Sequence, residues 1–284
     1  MFGSPRSGTT WLLNLLRSAP GVAGIDESGI GHHLTPLIAD VMNTSAASVP
    51  VDAFRVNDAR RSQDDYFFAE RFASSWREPL RQLLLSRFTA HLASMPERPA
   101  ACVIKEPNGT QAADVLLDLL PSSRLLVVVR DARDVIDSQL DASSLGSWRD
   151  RWVPGREMDA SQRMAFVEDQ AARWLFRMRT VLAAYESRSS AAAHLVRYED
   201  LRRDTLAGVK AIFDWLGVAP GDDIATEVDS MAFERIPSEQ RGQGRFTRAA
   251  TPGLWRENLS DDEQAVIGRI LDETLVALGY EPTT

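Results

Sequence analysis

The sequence predicts an α/β protein: a three-layer sandwich whose central parallel sheet of about five strands is covered by helices on both faces. Three observations predict it. Short apolar runs alternate with helical patterns along the whole chain, which is how strand–helix–strand units and a parallel sheet are written. Leu125-Leu126-Val127-Val128-Val129 is continuously apolar, as a strand buried on both faces requires. The opening Gly3-Ser4-Pro5-Arg6-Ser7-Gly8-Thr9-Thr10-Trp11-Leu12 is a glycine-bracketed loop running straight into a helix.

Taken in order, the elements are as follows. Gly3 and Gly8 permit a tight, positive-φ path, and a helix over 9–18 presents Leu12, Leu13, Leu15 and Leu16 as its apolar face. A strand must feed such a loop, yet only Met1 and Phe2 precede Gly3; either that strand is very short or the chain begins earlier. Pro20-Gly21 turns into a strand over 22–25, and Asp26-Glu27-Ser28 follows at its carboxyl end, where open α/β sheets hold ligands. Residues 34–41 read as helix, and 43–65 carry no period and read as loop. Phe68, Phe72, Leu80, Leu83, Leu84, Phe88 and Leu92 recur at helical spacing, so 66–94 should form one or two helices. A strand over 101–104 places Cys102 in the core. Asn108-Gly109 is a turn, 112–120 a helix, 125–129 the central strand and 131–140 a helix. Residues 142–159, with Trp148 and Trp152, read as a mobile loop. A long helix over 161–187, a last strand over 193–196 and a helix over 204–216 follow. Residues 238–258 are irregular and basic. Ser260 then caps a closing helix whose first turn, Asp261-Asp262-Glu263, is acidic. No repeat and no linker divides the chain, so 1–284 reads as one domain.

Composition narrows the function classes. A net charge of −8 argues against nucleic acid or an anionic membrane as partner. It also makes any local cluster of arginine more informative. One cysteine excludes an internal disulfide and a thiolate metal cluster. No apolar run reaches the ~20 residues that span a bilayer and no secretory signal precedes the loop, so the expected location is cytoplasmic.

The chemistry is written around the opening loop. Successive backbone N–H groups of Pro5-Arg6-Ser7-Gly8-Thr9-Thr10 can point inward at an anion, and the helix dipole that begins at Thr9 favours negative charge. The spacing is that of a P-loop, G-x-x-x-x-G-K-[ST], with Thr9 where a nucleoside triphosphatase carries lysine and with the cation, Arg6, inside the loop. Pro5 to Leu12 resembles the 5′-phosphosulfate loop of the sulfotransferases that use 3′-phosphoadenosine 5′-phosphosulfate (PAPS). The resemblance implies a P-loop-type sandwich, PAPS as donor, no metal, and transfer of a sulfuryl group to an acceptor hydroxyl.

Four further segments extend the resemblance. Arg130 ends the central strand and Ser138 lies two helical turns on; an Arg and a Ser at this separation hold the donor's 3′-phosphate in the family. An Arg–Asp lattice is the alternative there, and is the reading for Arg133 and Asp134. Arg197-Tyr198-Glu199-Asp200-Leu201 is similar to the family's Tyr-Glu-Asp-Leu segment, which makes Tyr198 an adenosine contact or, equally, a packing residue. Trp11 corresponds to a position that stacks the adenine. Placing Gly253 and Trp255 on the family's Gly-x-Trp-Lys puts Arg248 on an arginine that closes over the 3′-phosphate, although Ala249 and Ala250 replace the Lys-Gly that follows it; a solvated basic loop is the alternative.

Val103-Ile104-Lys105-Glu106-Pro107 stands where the cytosolic family carries Lys-Thr-His, with Pro107 in the place of the catalytic histidine. Another base is required. The segment from Pro5 to Glu27 resembles the tyrosylprotein sulfotransferases, whose base is the second acid of a pair after the second strand, and Glu27 falls on it. Catalysis is therefore assigned to Glu27 as general base, with Arg6 and Lys105 offsetting charge on the transferring group. His32, His33, Glu106 and Glu70 are alternative bases. The nucleotide is assigned to Pro5, Arg6, Ser7, Gly8, Thr9, Thr10, Trp11, Arg130, Ser138, Tyr198 and Arg248. The acceptor is expected to be a small-molecule or glycan hydroxyl compound, recognised by insertions near 43–95 and 142–160. A magnesium-dependent small-molecule kinase and a non-catalytic nucleotide-binding module are the competing classes.

Overall fold

The computed structural model describes residues 1–31, 62–65, 69–96 and 98–283. The helix expected at 34–41, positions 43–61 of the loop expected at 43–65, and His32 and His33 lie outside these residues.

Among the described residues four strands form where apolar runs predict them: β1 (Val22–Asp26), β2 (Ala101–Lys105), β3 (Leu125–Val129) and β4 (Ala193–Arg197). They pair in parallel as two two-stranded sheets, β1 with β2 and β3 with β4. The sheet of about five strands is thus not a continuous ladder. What joins the pairs is Met1-Phe2. The Met1 amine donates to the Ile104 carbonyl at 2.6 Å, and Glu106 N donates to Met1 O at 3.0 Å. On the other side Phe2 N donates to Leu126 O and Val128 N to Phe2 O, both at 2.9 Å. A two-residue stub makes a bridge to each neighbour and is too short to count as a strand.

The helices of the described residues are α1 (Thr9–Arg17), α2 (Ala73–Ala93), α3 (Ala113–Leu119), α4 (Ala132–Ala142), α5 (Ala160–Glu186), α6 (Tyr198–Arg203), α7 (Thr205–Leu216), α8 (Ile224–Ser230), α9 (Trp255–Asn258) and α10 (Asp261–Ala277). Along β3 successive side chains alternate faces. Leu125, Val127 and Val129 pack with α3, α4, α5 and α10, whereas Leu126 and Val128 pack with α1 and α7. Helices therefore cover both faces, which makes three layers. Among the described residues no helix is long and apolar enough to cross a membrane.

Local chemistry sets the element ends. Asp159 opens α5 through a capping box with Gln162, and Ser260 opens α10 through one with Glu263, satisfying amides that the first turn cannot. Two expectations fail on packing. Along 69–94 only Trp76 and Leu84 of the large apolar side chains are buried, while Phe72 and Leu83 are 43% and 63% exposed; apolar periodicity there did not mark a core face. Cys102 sits in β2 but is half-buried.

Because β1 to β4 and the Met1-Phe2 stub all run the same way, their carboxyl ends lie along one edge. Lys105 ends β2, and Glu27, the Gly3–Gly8 loop, Arg130 and Tyr198 each follow one of those ends, and so the topology alone gathers them.

Candidate active site

The loop after the stub is built by close approach. Gly3 does not have positive φ, contrary to expectation; a Cβ there would lie 2.5 Å from the Val128 carbonyl oxygen, so the loop can leave the sheet only with glycine at this point. Gly8 does adopt φ 81°, and its Cβ would stand 2.6 Å from the Tyr198 ring. Gly8→Ala is therefore expected to cost about 1–3 kcal/mol of stability, read by urea unfolding, and to displace Tyr198. Gly8 caps α1 without a side-chain hydrogen bond, and the first turn contains no acid. The positive end of the helix is left for an external anion. Ser7 N–H is used internally on Ser4 O at 3.1 Å, so the amides from Gly8 onward are the ones that remain.

Glu27 is positioned from both sides. Lys105 Nζ donates to Glu27 Oε1 at 3.0 Å and Asn108 Nδ2 donates to Glu27 Oε2 at 3.1 Å. The same ammonium reaches Thr10 Oγ1 at 2.7 Å and pairs with Asp26. Three acceptors thus match the three hydrogens of Lys105, which ties Glu27 to Thr10 of the opening helix. The lysine side chain is 1% exposed, whereas that of Glu27 is 48% exposed and open to the cavity. Glu106 is placed differently. It is 2% exposed and held by the Ser28 hydroxyl and by Gly31 N–H, so it braces the turn after β1. Glu70 pairs with Arg77 at 3.0 Å.

A cluster of guanidinium groups surrounds Ser138. Arg6 Nε donates to Ser138 Oγ at 3.0 Å, and Arg6 Nη2 donates to Phe246 O at 2.6 Å. Arg6 therefore faces Ser138, and none of its hydrogen bonds among the described residues goes to Lys105 or Glu27. Arg130 lies over the Tyr198 ring, 4.5 Å from its centroid, and donates to Arg6 O at 3.0 Å. Burial, with Arg130, Arg248 and Arg149 nearby, lowers the Arg6 guanidinium to about 10. Ser7 Oγ and Arg130 Nε are buried without a hydrogen-bond partner among the described residues. Such groups are normally satisfied, and Arg130 lines the cavity described below. Trp11 meets Tyr198 edge-on with centroids 6.2 Å apart and donates from its indole to Met231 O at 3.1 Å.

One cavity of about 920 Å³ joins these places; Pro5, Thr10, Trp11, Glu27, Arg130 and Ser138 all line it. Among the described residues no cluster of three or more His, Cys, Asp and Glu side chains is arranged to hold a metal.

A family model described as the sulfotransferase family matches residues 1–223. The chain belongs to the sulfotransferase family. A search of curated proteins finds no significant match. Among solved structures, mouse sulfotransferase SULT7A1 complexed with PAP is 14% identical, with a TM-score of 0.54 over 96% of this chain and 82% of that one. Sulfotransferase STF9 from Mycobacterium avium gives 14% identity and a TM-score of 0.54 over 100% and 77%. Retinol dehydratase in complex with androsterone and inactive cofactor PAP gives 17% and 0.51 over 96% and 79%. At these identities the likeness is one of fold: this sulfotransferase shares the α/β architecture of those proteins.

In this sulfotransferase the basic stretch near the carboxyl terminus is docked, not solvated. Three aspartates on one face of α4 hold it. Asp134 accepts from Gly253 N at 2.8 Å, Asp137 pairs with Arg248 and accepts from Asn258 at 3.0 Å, and Asp141 accepts from Gly244 N at 3.1 Å. Arg248 accordingly lines the cavity with its guanidinium committed to Asp137. The expected Arg–Asp lattice is also present, Arg133 bonding Asp131 at 2.8 Å. Sequence reading missed the staple, whose trace is the i, i+3, i+7 spacing of the aspartates. It also missed Asn108, which read only as a turn residue.

Proposed function

We propose that this sulfotransferase moves a sulfuryl group from PAPS to the hydroxyl of a small-molecule or glycan acceptor, with Glu27 as general base. The observation that carries the reading is the single cavity that holds both the Pro5–Trp11 loop and the Arg130–Ser138 pair, so that two separated phosphates of one nucleotide meet partners at each. The uncapped start of α1 and the orphaned Arg130 Nε fit such a ligand. The solved relatives bound to PAP support the choice of nucleotide.

When bound, the donor supplies an activated sulfuryl group: the acceptor oxygen–sulfur bond forms as the bond from sulfur to the 5′-phosphate oxygen breaks, leaving a sulfate ester and adenosine 3′,5′-bisphosphate (PAP). The chain's own work is positioning and charge. Gly8, Thr9 and Thr10 amides hold the 5′-phosphate, with Pro5 and Ser7 shaping the loop. Trp11 and Tyr198 hold the adenosine; Arg130, Ser138 and Arg248 hold the 3′-phosphate. Glu27 takes the acceptor proton, its carboxylate aimed by Lys105 and Asn108. Lys105 offsets charge from the base side and Arg6 from the Ser138 side. Asn108→Ala is expected to lower kcat about tenfold by letting the carboxylate swing, with PAP affinity unchanged in calorimetry.

The deciding experiment combines ligand stabilisation with product detection. PAP at 100 times its Kd is expected to stabilise the fold by about 2.7 kcal/mol, and PAPS with a panel of hydroxyl compounds is expected to yield a sulfate ester. Stabilisation by ATP–magnesium but not by PAP would favour the kinase reading. PAP binding with no acceptor consumed would favour the binding module.

A further inference from the structure

A second set of cations lines the same cavity away from the groups assigned to the nucleotide. Phe166, Asp169, Gln170, Arg173 and Arg177 form one stripe of α5 along its wall, at the three- and four-residue spacing that keeps side chains on one helix face. The same helix packs on the short helical turn Pro107–Ala112, whose Pro107 and Asn108 line the cavity beside the stripe and whose Asn108 holds Glu27. The stripe therefore belongs to the side of the cavity where the acceptor hydroxyl must lie.

The charges on that stripe do not cancel. Asp169 is its one carboxylate, and it is already paired with Arg173 at 2.8 Å and bonded by Gln170 at 3.0 Å. Arg177, one turn further, makes no hydrogen bond or ion pair among the described residues. Burial beside Arg173 lowers its guanidinium to about 10. Arg156, on the exposed segment that borders the cavity, likewise has no carboxylate partner among the described residues. A chain with net charge −8 has acids to spare, yet places three guanidiniums against one carboxylate here. A half-buried cation without a counter-ion is unfavourable, and a neutral hydroxyl compound would leave it so. A planar oxygen pair on the ligand matches the guanidinium fork.

We propose that the acceptor is an anionic hydroxyl compound, its carboxylate or phosphate-type oxygens gripped by Arg177, Arg173 and Arg156 while its hydroxyl lies at Glu27. The assignment rests on the sulfuryl-transfer reading and adds the acceptor's charge to it. Val153, Pro154 and Phe166 supply apolar wall between the charged groups.

The test uses the full chain. Matched pairs of hydroxy acids and their methyl esters are offered with PAPS, and the PAP-loaded protein is titrated with benzoate and with phenyl phosphate. The acid is expected to exceed its ester by about tenfold or more in kcat/KM, chiefly through KM, and Arg177→Gln and the surface variant Arg156→Gln should each reduce that ratio several-fold. At least one of the two anions should bind the PAP-loaded chain and bind more weakly to both variants; which one binds distinguishes a carboxylate from a phosphate ester. Esters used as well as acids, or anion binding that neither variant changes, overturns the proposal. If acids and esters alike give no product, the anion titration decides. Failure of PAP itself to bind removes the sulfuryl-transfer reading, and the acceptor assignment falls with it.

Discussion

Glu27→Gln is expected to lower kcat by about 10²–10⁴-fold, the usual contribution of a general base, while PAP binds as before. The substitution keeps the shape, and the amide oxygen can still accept from Lys105, while the amide nitrogen no longer accepts from Asn108. What disappears is the capacity to take a proton. Among the described candidate bases, Glu27 opens to the cavity, whereas Glu106 is buried under Ser28 and Gly31. Single-turnover assays beside calorimetry separate the two effects. Retained turnover with intact binding would move the base elsewhere, with His32, His33 and Glu106 next to be replaced.

Arg130→Ala is expected to weaken PAP binding by about 2–5 kcal/mol, the range for truncating one partner of a buried charged pair, or roughly 30- to 4,000-fold in Kd. The side chain carries two connections that alanine cannot replace, the stack on Tyr198 at 4.5 Å and the bond to the Arg6 carbonyl at 3.0 Å. Its Nε has no protein partner among the described residues, which is the atom a phosphate would claim. Arg130→Lys keeps the charge and loses the fork, so an intermediate affinity should follow. An affinity unchanged in both variants would remove Arg130 from the nucleotide site.

The parts of this site written in short-range pattern could be read before folding. The loop from Gly3 to Thr10 has its spacing in the chain itself, and Leu125–Val129 announces a doubly covered strand by composition. Arg130 and Ser138 needed only a strand followed by two turns of helix. Other features exist only through contacts between distant segments. Gly3 is required by the Val128 carbonyl, a neighbour 125 positions away that no turn rule supplies. The Tyr198–Arg203 helix is one and a half turns long, too short for a period to show. Arg6 was legible as the cation of the loop, but its hydrogen bond to Ser138, 132 positions away, comes only from packing. For the 241–258 segment the sequence left a solvated loop open as the alternative, because the aspartates that hold it lie on α4, more than 100 residues earlier in the chain.

Among the described residues, two that are not glycine hold a left-handed backbone: Arg6 at φ 73° and Glu27 at φ 48°. Both belong to the proposed chemistry, and each sits where a carboxyl strand end must turn sharply into the cavity. Backbone held in this region costs of the order of 1–3 kcal/mol per residue, free energy that the rest of the fold has to offset. A library selected for heat tolerance alone should consequently drift towards glycine or asparagine at positions 6 and 27, and the melting temperature it gains there would be matched by catalysts that no longer turn over.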